Sequence, residues 1–199
     1  MSDDILIIKA IHILNASGVI LYPIETVYGL GADATDKKAV LKVIEMKKRE
    51  NKPMLIAVSD IKMAKKYVWW NKYADALAEK YLPGPLSLIL NRKEETITDE
   101  VTIGSEKLGI RIPKNDFVLK LISNYGRPIT STSANLSGHK PPAKLEDVSE
   151  EIKSKVDMII DKGKPLFNQP STIVDVSSYP PKLIREGVIK FDDIMRTIE

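Results

Sequence analysis

Apolar and polar positions along this chain switch period again and again. Ile5, Ile8, Ile11 and Leu14 recur at helical spacing, Ser2-Asp3-Asp4 offers a start and Gly18 a stop, so a helix is predicted over 5–17. Val19 to Tyr22 is short, continuous and apolar, which predicts a strand. Asp36 can cap a helix running to about Lys48, with Val40, Leu41, Val43 and Ile44 inward. Ser59-Asp60 and Asn71 can cap two more, the second ending before Pro83-Gly84-Pro85, and Asn115 opens another through Ser123. Helices are also predicted over 145–154 and 191–198, and strands at 54–58, 86–90, 108–112, 128–132, 157–160, 172–176 and 183–185. Interleaving on this scale predicts an α/β protein, with the late strands antiparallel. No repeat, low-complexity tract or linker interrupts it, so one domain over 1–199 is expected.

Composition narrows the chemistry. Apolar residues make up 43% of the 199 and charged residues 29%, the balance of a globular protein. No apolar run approaches the roughly 18–20 residues of a membrane span, and the acidic N-terminus lacks the basic start of a signal peptide. A cytoplasmic location without a membrane partner is therefore expected. With no cysteine and two histidines, thiolate nucleophiles and Cys or His metal centres drop out. No metal-ligating residues are predicted; a metal, where the chemistry uses one, is Mg2+ arriving with a phosphate ligand. The net charge of +3 is mild, so local clustering matters more than the sum.

Several standard templates fail. There is no GxxxxGK[ST], no HExxH and no GxSxG; Gly29-Leu30-Gly31 begins a GxG, but Ala34 breaks the dinucleotide fingerprint. What remains is polar loops at the ends of predicted strands. The stretch YPIETVYGLG, 22–31, is read as a loop. Glu25 and Thr26 could be local caps with Tyr28 packed on the core, or Thr26 could offer its hydroxyl to a ligand. Lys47-Lys48-Arg49-Glu50-Asn51-Lys52 places four cations at a helix end, where they suit the dipole or could neutralise a polyphosphate. Thr130 to Gly138 carries five hydroxyls and an amide, more than a turn requires. Arg111 and Arg185 sit in or at the end of apolar strands and need a partner, from the protein or from a ligand. His12 is expected to be packed or half-exposed, Trp69, Trp70 and Tyr73 to lie on the core, and Met46, Met54 and Met63 to fill it.

Taken in order, these segments resemble the YrdC/Sua5/TsaC family of threonylcarbamoyl-AMP synthases. The resemblance rests on Pro23–Gly31, Lys47-x-Arg49 with Lys52-Pro53, Pro83-Gly84-Pro85, Arg111-Ile112-Pro113, Ser133-x-Asn135, Ser171-Thr172-Ile173-Val174-Asp175 and Arg185-Glu186-Gly187, spanning about 5–190. It implies a YrdC-like twisted mixed sheet with flanking helices and a concave basic surface. It implies condensation of L-threonine, bicarbonate or CO2 and ATP, with Mg2+, to L-threonylcarbamoyladenylate and pyrophosphate. The product would pass to a separate transferase acting on adenosine 37 of tRNA. Thr26, Arg111, Ser133 and Ser171 would hold L-threonine, Arg111 pairing its carboxylate. Arg49, Lys52, Lys107, Asn135 and Arg185 would hold ATP, and Lys47 with Arg49 would be catalytic. Ile24, Ala57 and Ala143 depart from the residues usual at those places.

Two other readings share these residues. A non-catalytic RNA-binding protein like the YciO branch would use a basic surface alone, although that branch tends to lack the complete K-x-R and S-x-N pairs kept here. A carbamoyl-adenylate-forming domain like that of hydrogenase maturation factors would come with acylphosphatase and zinc-finger domains, for which the chain has neither room nor cysteines.

Overall fold

The computed structural model describes residues 2–48, 52–94, 96–163, 165–167 and 169–198. In chain order these form α1 (Asp3–Asn15), β1 (Ile20–Pro23), β2 (Tyr28–Gly31), α2 (Lys37–Met46), β3 (Leu55–Ala57), α3 (Ile61–Tyr67), α4 (Lys72–Tyr81), β4 (Leu86–Asn91) and α5 (Asp99–Thr102). Then follow β5 (Lys107–Arg111), α6 (Asp116–Tyr125), β6 (Ile129–Ser133), α7 (Glu150–Lys153), β7 (Met158–Ile159), β8 (Thr172–Asp175), β9 (Lys182–Arg185) and α8 (Phe191–Ile198).

Four helices begin where a short polar side chain satisfies an otherwise orphaned backbone N–H. Asp36 accepts from Lys38 N, Asp60 from Met63 N, Asn71 from Ala74 N and Asn115 from Val118 N. Helix α6 stops at Gly126, whose φ of 75° is the left-handed conformation that glycine adopts without a Cβ clash.

All the strands join one twisted sheet in the order β7-β1-β2-β6-β3-β5-β4-β8-β9. It is mixed: β1/β7, β3/β5 and β4/β8 run parallel and the other pairs antiparallel. The late strands are thus only partly antiparallel, since β7 and β8 each run alongside an earlier strand. Stretch 22–31 is a hairpin rather than a loop, with Tyr22 opposite Gly29 and Leu21 opposite Leu30. Pairing continues through β2 because both its faces are covered, so every residue of it is buried. The predicted helix at 145–154 breaks into a 3-10 turn and the short α7.

Flanking helices cover the sheet. Helix α1 packs on β1 and α6, and α8 on α4. The stripe that α1 buries is Ile7, Ala10 and Leu14, whereas Ile5 and Ile8 face outward. Its sequence is apolar nearly all round, so periodicity does not choose the inward face; packing against α6 does. Met46, Met54 and Met63 are core residues, each buried side chain of that kind contributing about 1.5–3 kcal/mol. His12 is exposed rather than packed, and Trp69 stands 64% exposed, with the Lys93 ammonium 4.8 Å from the centre of its ring. No described helix is long and apolar enough to cross a membrane.

The path after β7 matters for function. This strand is at one edge of the sheet and β8 lies near the other, so the segment between them crosses the sheet. On the way Leu166 N and Phe167 N both donate to the Glu25 carbonyl, and Asn115 Nδ2 donates to Lys162 O.

Candidate active site

The same crossing helps enclose a cavity of about 390 Å3, within the roughly 300–1,000 Å3 of small-molecule sites. The hairpin turn contributes Ile24, Thr26 and Val27; β5 contributes Lys107, Gly109 and Arg111; β6 contributes Ser131, Thr132 and Ser133. The β8–β9 corner adds Ser171, Asp175, Ile184 and Arg185. Among the described residues, three cations and one carboxylate therefore face one space.

At its floor Arg111 and Glu25 form an ion pair buried on both sides, through Nη2 and Oε1. Glu25 Oε2 also accepts from Lys114 N at 3.2 Å. Glu25 and Thr26 are thus not local caps: one is the counter-ion of a strand arginine, the other a buried hydroxyl. The pair leaves donors unused. Arg111 Nε and Thr26 Oγ1 are buried without a hydrogen-bond partner among the described residues. Ser131 Oγ is also unbonded, lying beside the Tyr22 phenol without hydrogen-bonding geometry to it. Most buried polar groups in a folded protein are satisfied, so such a group marks either strain or a place for a ligand. Here all three belong to residues lining one cavity.

The β8–β9 corner is tightly made. Arg185 donates through Nε and Nη2 to the Ser171 carbonyl at 3.1 and 2.9 Å, and through Nη2 to Ser171 Oγ at 3.2 Å. Ser171 Oγ meets the buried Ser87 Oγ at 2.9 Å. Gly187 permits this closeness, because a Cβ there would fall 2.1 Å from the Pro170 carbonyl oxygen. Although Arg185 is exposed as a residue, its guanidinium is partly shielded against Ser171. Desolvation and then the charge of Arg111 pull the Arg185 pKa below its ordinary value, but a guanidinium so far from neutral stays charged. An entering anion relieves that repulsion. Lys107 pairs with Asp175 at 2.7 Å. Burial raises the Asp175 pKa, but hydrogen bonds from Lys107 and Ser177 outweigh it and the net shift is downward.

Of the residues singled out from sequence, Thr26, Arg111, Ser133, Ser171, Lys107 and Arg185 line this cavity together. Lys52 and Asn135 are not among its lining residues, though Pro53 and Ser133, close by in the chain, are. Arg49 lies outside the described residues. Lys47 is buried rather than presented to the cavity, with Nζ on the carbonyls of Ser133 and Asn135. Sequence reasoning gave no site role to Ser131 or Asp175 and read Glu25 only as a local cap. Each lay inside a quoted segment, but the partners of Glu25 and Asp175, Arg111 and Lys107, are far along the chain.

A family model described as telomere recombination, covering Sua5, YciO and YrdC proteins, matches residues 12–187. The chain belongs to the Sua5/YciO/YrdC family. A Methanocaldococcus jannaschii member, assigned provisionally as a threonylcarbamoyl-AMP synthase, is 38% identical over 93% of this chain and 86% of its own length. The Pyrococcus abyssi threonylcarbamoyl-AMP synthase is 35% identical over 90% of this chain, which spans only 53% of that relative. A crystal structure of P. abyssi Sua5 complexed with L-threonine superposes with a TM-score of 0.91 at 33% identity, covering 96% of this chain and 57% of that one. Escherichia coli YciO superposes at 0.85 and 25% identity, covering 98% and 93%. The mixed twisted sheet with flanking helices is thus the fold of the Sua5/YciO/YrdC family.

Proposed function

We propose that this chain is an L-threonylcarbamoyladenylate synthase, a nucleotidyltransferase acting as one domain over 1–199 in the cytoplasm. It joins L-threonine, bicarbonate or CO2 and ATP, releases pyrophosphate, and hands the adenylate to a separate threonylcarbamoyl transferase for modification of tRNA adenosine 37. The observation that carries this reading is the set of polar atoms on Thr26, Arg111 and Ser131, unpartnered among the described residues, in a cavity that Lys107 and Arg185 also line. The relatives' names and the L-threonine bound to P. abyssi Sua5 support it.

The charge layout suits two unlike ligands. Glu25 offsets most of the Arg111 charge, so the floor favours a net-neutral amino acid whose carboxylate takes the open Arg111 Nε. Thr26 and Ser133 offer hydroxyls beside it, and Ser171 closes the pocket. Lys107 and Arg185, with Lys52 and Arg49, would neutralise a triphosphate, and Asn135 would offer its amide to the nucleotide. The amine of threonine attacks CO2 with loss of a proton to solvent, or bicarbonate with loss of water, to give a carbamate, whose oxygen attacks the α-phosphorus as pyrophosphate leaves. Bringing two anions together is the difficult part, and fixed cations lower that barrier by positioning and charge stabilisation rather than by proton transfer. Among the described residues Asp175 is the one carboxylate lining the cavity, and Lys107 already engages it, so Mg2+ would be held by phosphate oxygens and water. When bound, it would further neutralise the departing pyrophosphate.

The test is incubation with ATP, Mg2+, bicarbonate and each amino acid singly. Pyrophosphate release supported by threonine alone is expected; release with no amino-acid dependence sinks the assignment. The likeness to YciO keeps one competitor, an RNA-binding protein without catalysis. Salt-sensitive tRNA binding without ATP consumption would favour it.

A further inference from the structure

We propose that Lys47 is a positioning residue, a buried clamp on the 133–137 turn, and not a phosphate ligand. The proposal rests on the synthase reading only for what that turn serves. Lys47 is the residue at which α2 ends, and it is 1% exposed. Lysine is almost never buried to that degree unless its ammonium is engaged. Nζ donates to the Ser133 carbonyl and, at 2.7 Å, to the Asn135 carbonyl. The Lys47 carbonyl in turn accepts from Ser137 N at 3.0 Å. Three bonds from one residue thus grip alternate positions of a turn nearly ninety residues away.

The turn is held from its other side as well. Ala134 N donates to Tyr28 O at 2.8 Å, fixing the turn to β2. Asn135 Nδ2 folds back onto the carbonyls of Leu136 and His139 at 2.8 and 2.7 Å. That leaves Asn135 Oδ1 buried and unpartnered among the described residues, while Ser133 lines the cavity. The clamp therefore fixes the two side chains of the S-x-N pair without itself standing among the lining residues. Among the described residues its ammonium is directed at the carbonyls of Ser133 and Asn135, so its influence on a nucleotide is exerted through that pair. An arginine would not substitute well, because its planar fork does not reproduce the compact donor geometry of an ammonium.

The wild-type full-length chain tests this without any substitution. Brief acetylation with an amine-reactive ester, read by peptide mass spectrometry, compares Lys47 with the exposed Lys9 on α1, which does not line the cavity. Lys47 should react at least roughly tenfold more slowly than Lys9 both with and without Mg2+-ATP, as burial controls access. A Lys47 that reacts readily in the free protein and is shielded by ATP overturns the proposal. Separately, Lys47→Met should weaken AMP, ATP and L-threonine binding by one common factor of roughly tenfold or more, leaving the ATP-to-AMP ratio unchanged. A loss confined to ATP makes Lys47 a phosphate ligand and overturns the proposal too. Should the variant fail to fold, the acetylation result alone decides. Should wild-type protein bind neither nucleotide nor threonine, the synthase reading fails while acetylation still judges the clamp.

Discussion

Two buried carboxylates, Asp33 and Glu25, each sit beside an arginine, yet they do opposite things. Asp33 is saturated. Its Oδ1 accepts from Thr35 N and Oγ1 at 2.8 and 2.7 Å, and its Oδ2 accepts from Tyr125 Oη at 2.7 Å and Arg127 Nη1 at 2.5 Å. Arg127 also stacks 4.4 Å above the Tyr125 ring, bonds Asn15, and keeps much of its side chain in water. Glu25 and Arg111 are both sealed from water, but Arg111 keeps Nε open and Thr26 beside Glu25 keeps its hydroxyl open. Residue types and charges match in the two places. What separates a strut from a site is unused hydrogen-bonding capacity aimed at a cavity, since satisfied buried networks add rigidity and unsatisfied ones carry a cost that a ligand can offset.

The largest expected effect breaks the open network at its root. Glu25→Ala strands the buried Arg111 charge and should destabilise the fold by about 3–5 kcal/mol, measured by urea unfolding. Asp33→Ala should cost less, because Arg127 can turn to solvent; the reverse order would undo the comparison.

Next comes an alkaline test. Burial pushes the Tyr22 phenol up to about 12 from 10.0, with Ser131 and then Arg111 opposing. A proton held more tightly in the folded state means full stability below pH 10 and progressive loss as pH rises through 12, about 2–3 kcal/mol in all. Tyr22→Phe should flatten that decline. The larger part of the total alkaline decline will remain, because burial and then the hydrogen bonds to Asp161 and Asp33 raise the phenols of Tyr28 and Tyr125 further still. An unchanged slope in the variant would show that Tyr22 does not titrate against folding.

A subtler contrast comes from deleting one hydroxyl in each network. Thr26→Val removes a hydroxyl that already lacks a partner, so stability should stay within about 1 kcal/mol while threonine-dependent pyrophosphate release falls roughly 10–100-fold. Tyr125→Phe should do the converse, costing about 1–2 kcal/mol of stability with activity unchanged. Equal activity losses in the two variants would erase the distinction between strut and site.

Much of the architecture is legible without coordinates wherever the physics is local. Asp36, Asp60, Asn71 and Asn115 each cap the helix that the residue pattern assigns to them, because a cap is decided by atoms two or three residues apart. The order of strands and helices follows from period and turn chemistry, and the series of motifs is enough to recognise the family. Tertiary structure alone decided the rest. Whether Gly29-Leu30-Gly31 continued as a strand depended on β6 lying alongside, and which side of α1 turned inward depended on α6. The fates of Glu25 and Lys47 depended on partners 86 to 88 residues away. A charged side chain in a polar loop is equally at home in water, against a ligand or beneath the core; only the groups that folding brings within hydrogen-bonding distance choose among these, and no local pattern records them.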